Sequence, residues 1–92
     1  MHLEIVSPEA TLFEGNVTSV TVPGLNGEFQ VLDNHAPIVS LLQEGVVKIG
    51  GEVKISEEHE AKFRKSPDGK MTLSISSGTM EMNDNKVIVL VD

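Results

Sequence analysis

Residues 71–91 read MTLSISSGTMEMNDNKVIVLV, and this stretch restricts the fold more than any other. Met71, Leu73 and Ile75 alternate with Thr72, Ser74 and Ser76, so an extended chain sends the apolar set to one face and the hydroxyls to the other. Met80 and Met82 carry the same period on beyond Gly78. Asp84-Asn85 is a turn signal, and Lys86 to Val91 follows as a nearly continuous apolar run of strand length. Two strands, a tight turn and a further strand, central in its sheet, are expected.

The same punctuation recurs upstream. His2 to Ser7 reads as a first strand, with Leu3 and Ile5 on one side and Glu4 on the other. Thr11 to Glu14 begins a second, which bends or bulges at Gly15-Asn16 and continues through Val17 to Val22. Pro23-Gly24 and Asn26-Gly27 are turn signals. Glu28 to Leu32 alternates with Phe29 and Val31 inward, and His35 to Pro37 reads as a loop because Pro37 lacks a ladder donor. Ile38 to Leu42 is compatible with helix or strand; its apolar Ile38, Val39, Leu41 and Leu42 are expected to fill the core or its edge. Val46 to Ile49 is a strand, Gly50-Gly51 a tight connection, and Val53 to Ile55 is expected to extend the sheet. Residues 57–65 have a helical period but no apolar stripe wide enough to bury a helix.

Many short strands with glycine-rich turns predict an all-β chain, a sandwich or a small barrel. Its 92 residues suit one domain, residues 1–92, burying roughly 60–65% of the surface of the extended chain. The expected inward set is Leu3, Ile5, Val20, Val22, Phe29, Val31, Leu73, Ile75, Val89 and Val91. Met71, Met80 and Met82 also read as core.

Chemistry is sparse. Fourteen acidic residues against seven basic ones give a net charge of −7. The mixed stretch of Lys62, Arg64, Lys65 and Lys70, preceded by Glu57, Glu58 and Glu60, is a solvated face, and no nucleic-acid partner is expected. The chain has no cysteine, which removes disulfides and thiolate chemistry. His2, His35 and His59 and the serines form no nucleophile motif. Glu57, Glu58, His59 and Glu60 are a weak metal-ligand candidate, because adjacent residues of an extended chain point apart. GLNG and GGEV lack the lysine and helix of a phosphate loop. No enzyme activity, cofactor or metal is expected. The N-terminus does not read as a secretion signal, and no apolar run approaches a membrane span, so direct membrane insertion is not expected.

The segment VPGLNGEFQVLDNHAPIVSLLQEGVVKI, with LSISSGTMEMNDNKVIVLVD downstream, resembles the N-terminal β-domain of the epsilon subunit of F-type ATP synthase. The matching parts are the Pro23–Gly27 turn, the Glu28–Leu32 strand, His35-Ala36-Pro37 before an apolar stretch and Gly45, and the final hairpin. The resemblance implies a flattened ten-stranded β-sandwich. It also implies a non-catalytic place in the central rotor, at the cytoplasmic face of the bacterial inner membrane. The implied partners are the gamma subunit, the ring of c subunits and, through gamma, the catalytic head. Glu28 and His35 fall where the family approaches the polar loops of the c ring, and Gly27 and the Asp33-Asn34 turn are expected to set them on one rim. On the residues alone, Glu28 also reads as an ordinary solvated carboxylate and His35 as a loop-closing hydrogen bond.

Two departures stand out. Longer family members continue into a C-terminal helical hairpin that inhibits ATP hydrolysis, whereas this sequence stops at Asp92, so inhibition by that arm is not expected. The segment GGEVKISEEHEAKFRKSPDGK is longer than its counterpart in many members and reads as an elongated surface hairpin over 52–70. The rival reading is a standalone β-sandwich module for a ligand or peptide, which calls for a concave pocket or an open edge strand.

Overall fold

The computed structural model describes residues 1–92. Ten strands form in chain order: β1 (His2–Val6), β2 (Thr11–Asn16), β3 (Ser19–Gly24), β4 (Gly27–Leu32), β5 (Ile38–Leu42), β6 (Gly45–Gly50), β7 (Phe63–Lys65), β8 (Met71–Ile75), β9 (Gly78–Asn83) and β10 (Lys86–Val91). They hydrogen-bond in the order β2-β1-β10-β9-β5-β3-β6-β8-β7, with β4 on the other side of β3. The sheet curls into two layers, β2-β1-β10-β9-β5 and β4-β3-β6-β8-β7. Between them β3 and β5 share a single register pair, Gly24 with Leu42. The result is a flattened all-β sandwich, 32 × 26 × 24 Å.

The corner explains how one sheet becomes two. β5 and β6 are separated only by Gln43 and Glu44, yet β5 lies along β9 and β6 along β3 and β8. At the bend a Cβ on Gly45 would lie 2.7 Å from the Pro23 Cβ. Only a residue without a side chain lets the strands approach there. The Gln43 side chain closes the corner, donating from Nε2 to the Gly24 carbonyl at 2.9 Å.

Between the layers sits one core of 19 buried apolar residues. The expected inward residues are buried there, except Phe29, which is half-buried and packs against the core from the side. Met80 and Met82 are fully enclosed, while Met71 lies at the margin. β10 runs between β1, to which it is parallel, and β9, so the apolar terminal strand is central as expected.

Four local readings are corrected. β2 does not continue into Val17–Val22: it ends at Asn16 beside β1, the chain turns at Val17-Thr18, and β3 pairs instead with β4 and β6. Gly15 makes no bend; its missing side chain accommodates the ring of Phe13, whose Cζ would lie 3.1 Å from an added Cβ. Pro23-Gly24 is not a turn but the end of β3, and only Leu25-Asn26 turns the hairpin. Val53 to Ile55 joins no ladder. Both sides of β8 are already taken, by β6 and β7, so Val53 and Ile55 only pack their side chains on the core. The expected 52–70 hairpin therefore shrinks to β7 and β8 around Pro67-Asp68-Gly69, preceded by a 3₁₀ turn at Glu60–Lys62.

Candidate functional site

The two outer faces of the sandwich differ in chemistry. On the β4-β3-β6-β8-β7 layer, register aligns Gln30, Thr21, Lys48, Thr72 and Arg64 side by side across all five strands. This row is polar from end to end. Next to it Glu28, beside Gly27 (φ +122°), opens β4 and reaches Lys48, with Oε2 and Nζ 3.2 Å apart. Both side chains are partly exposed, and a shallow cleft gathers them with Thr21, Gln30, Asp68 and Lys70. The Asp68 carboxyl is held below its ordinary value, first by the Ser66 hydroxyl, then by the Lys70 backbone N–H, and further by the Lys70 and Lys48 charges.

His35 lies in the exposed loop after β4. Its Nδ1 is 2.6 Å from the Ala36 carbonyl. A carbonyl only accepts, so Nδ1 carries a proton and donates to it. The loop is pinned to the rest of the domain. The Met1 ammonium lies 2.6 Å from the Asp33 carboxylate, and the Asn34 backbone N–H donates to the Asn85 side chain at 2.7 Å. The ammonium's hydrogen bond and then its charge hold the Asp33 carboxyl below its ordinary value, with a further contribution from Asn85. Asn34, at φ 62°, and the Asp84-Asn85 pair, at φ 50° and 59°, take the left-handed conformation that asparagine and aspartate tolerate in tight turns.

Glu28 lies near the start of edge strand β4, whereas His35 lies beyond its end, in the loop that follows. Glu28 to Leu32 alone spans roughly 13 Å of extended chain. The length of β4 therefore separates the two, and they do not form one compact spot.

The opposite face is apolar where solvent should favour polar residues. Leu41, Thr79, Leu90 and Val6 form one cross-strand row on β5, β9, β10 and β1. Val39, Glu81, Ile88 and Glu4 form the next. Val39 is 74% exposed, Leu41 60%, Leu90 50%, and Leu25 in the neighbouring turn 57%. Of the expectation that Val39 and Leu41 fill the core or its edge, the core placement is corrected. On β5 the alternation is inverted: Ser40 pairs with buried Met80, whereas Val39 and Leu41 point outward. Exposed apolar side chains grouped in this way, here interspersed with Thr79, Glu81 and Glu4, are the kind of surface on which interaction sites are found. The composition of 38–42 alone gave no hint of the inversion, because both sides of the strand carry apolar residues. No group of three or more His, Asp or Glu side chains converges in a metal-binding arrangement.

The chain is thus a β-sandwich with a polar edge strand and an outer face that exposes several apolar side chains. Known proteins specify it further. Residues 1–92 match the family described as ATP synthase, Delta/Epsilon chain, beta-sandwich domain, and the chain belongs to that family. It is 41% identical over 92 residues to the ATP synthase epsilon chain of Campylobacter fetus subsp. fetus (strain 82-40), covering 100% of this chain and 60% of that one. It is 37% identical over 90 residues to the epsilon chain of Chlorobaculum tepidum, covering 98% of this chain and 86% of the relative. This chain thus spans about 60% of the length of its Campylobacter relative but most of the Chlorobaculum one. The fold is also that of a chain in the Euglena gracilis mitochondrial ATP synthase, in a structure of OSCP, F1 and c-ring. The TM-score is 0.71 at 22% identity, over 97% of this chain and 48% of that one. A chain in the central stalk and c-ring structure of the Tetrahymena thermophila enzyme superposes with a TM-score of 0.69 at 18% identity, over 99% of this chain and 62% of that one.

Proposed function

We propose that this chain is a non-catalytic subunit of the central stalk of an F-type ATP synthase, folding as one unit and linking two partners in the rotor. The apolar face of Val39, Leu41, Leu90 and Leu25 docks on the gamma subunit, and through gamma the chain is joined to the catalytic head. The polar edge carrying Glu28 and His35 meets the polar loops of the c ring. What supports this reading is the difference in chemistry between the exposed apolar side chains and the polar edge, which adjoin at a cleft lined by Leu25, Glu28, Val39 and Leu41. Apolar docking supplies affinity through buried area, whereas a charged edge supplies register and orientation. Family membership favours this rotor role over a standalone ligand-binding module. No helix is long and apolar enough to cross a membrane, and the chain reaches the cytoplasmic face of the bacterial inner membrane through its partners.

The test replaces Glu28 and His35 together with alanine and measures binding to purified c ring and to gamma in parallel. Exposed polar contacts contribute about 0.2–1 kcal/mol each. Ring association should weaken by that order while gamma affinity and strand content hold. Equal ring affinity for mutant and wild type would remove this edge from the interface.

A further inference from the structure

Lys48 is a half-exposed cation in the middle of the polar row, with Thr21 and Thr72 as its register partners. Neither neighbour carries charge, so the Lys48 ammonium turns to Glu28, 3.2 Å away. Asp68, on the β7–β8 turn, lines the same cleft. Lys48 therefore has two carboxylates in its surroundings: Glu28 on the edge strand, and on the turn Asp68, which already accepts from the Ser66 hydroxyl and the Lys70 backbone N–H and shares the cleft with the Lys70 side chain.

We propose that Lys48 governs the specificity of Glu28: it occupies the Glu28 carboxylate in the free domain and yields it to a basic side chain of the docking partner, turning toward Asp68 as it does so. The inference rests on the reading that the Glu28 edge meets a loop of the c ring, and it adds that the loop presents a cation there. A positioned basic group competes for the Glu28 carboxylate more strongly than a neutral or acidic one, so the pair discriminates by charge. Partial exposure of both members keeps the exchange shallow, because solvent-screened pairs of this kind hold each other weakly. The exchange also retains specificity. A carboxylate left bare would attract any passing cation, whereas one already paired yields only to a basic group that the rest of the interface holds in position.

The experiment measures affinity of the full natural chain for purified cognate c ring at low ionic strength, where exposed charges are least screened. Lys48→Met and Lys48→Gln both remove the competitor and should tighten binding by roughly 1.4- to 5-fold. Lys48→Arg should stay at the wild-type value. Asp68→Asn, which leaves the displaced lysine without its second carboxylate, should loosen binding within the same range. Glu28→Gln should weaken binding and abolish the effect of Lys48→Met in the double variant. If both charge-removing variants of Lys48 bind no more tightly than wild type while Glu28→Gln still weakens binding, the handover is overturned and the edge reading stands. If Asp68→Asn leaves affinity unchanged, the handover to the turn is overturned. If Glu28→Gln itself binds like wild type, the edge reading falls, and the inference with it.

Discussion

Replacing Val39 and Leu41 together with serine removes the two most exposed apolar side chains of the domain, both on β5. Complete burial of a valine or leucine side chain is worth about 1.5–3 kcal/mol. Val39 keeps 74% and Leu41 60% of full exposure in the free domain. Covering what remains exposed therefore supplies roughly 2–4 kcal/mol on docking, scaling the burial energy by those fractions. Removal should raise the Kd for gamma by roughly 30- to 900-fold. The free domain should hardly notice, because both side chains point away from the core. Substitutions at such positions shift stability by about 0.5 kcal/mol or less each, a Tm change of at most roughly 8 °C for the pair in a domain of this size. Calorimetric titration of gamma with wild type and double mutant, beside thermal melts of each, gives both quantities. Gamma affinity within about threefold of wild type in a mutant that melts normally would refute the assignment of this face, since a factor of three is only ~0.65 kcal/mol.

Two further outcomes follow from the core and from the loop anchors. Met80 is fully buried between Val89 on β10 and Ser40 on β5, so Met80→Ala should cost about 2–5 kcal/mol in denaturant unfolding; a loss below ~1 kcal/mol would mean the site collapses around the cavity. Asp33 and Asp68 both titrate below their ordinary 3.8 in the folded chain. Carboxyls depressed by folding contribute stability that is fully present above the unfolded value and is lost as pH falls through the folded one. The stability gap between wild type and Asp33→Asn should therefore narrow as pH drops below 3.8, and a gap that stays constant from pH ~6 to ~2 would contradict the ammonium–carboxylate anchor.

How much of this was readable in the residues differs from element to element. The 71–91 stretch was legible because its apolar positions alternate without interruption and its turn carries Asp84-Asn85, residues that accept a positive φ. Helix and strand could not be separated for 38–42 by pattern, and pairing with β9 decides it. Val53 to Ile55 fails as a strand for a reason outside its own sequence: β7, only three residues long, takes the free side of β8. The Val17-Thr18 break was hidden because β2 and β3 are both apolar enough to read as one strand, and only their different partners separate them. Glu28 and His35 were legible as a pair only through family resemblance, and the geometry separates them by the length of β4. Lys48 gave no signal, since its importance lies in a 3.2 Å contact between strands distant in sequence. The outward turn of Val39 and Leu41 was equally silent, because what inverts β5 is the position of Ser40 against Met80.

The central claim is that one copy of this chain holds two partners at once, by opposite chemistries. The most direct measurement is the mass of the complex formed when the full natural protein is mixed with purified gamma and purified c ring, read by native mass spectrometry or light scattering. The account predicts a ternary complex with one copy of each subunit on the ring, from which Val39→Ser/Leu41→Ser removes gamma and Glu28→Ala/His35→Ala weakens the ring. Competition between gamma and the ring for the same chain, with binary complexes only, would contradict it.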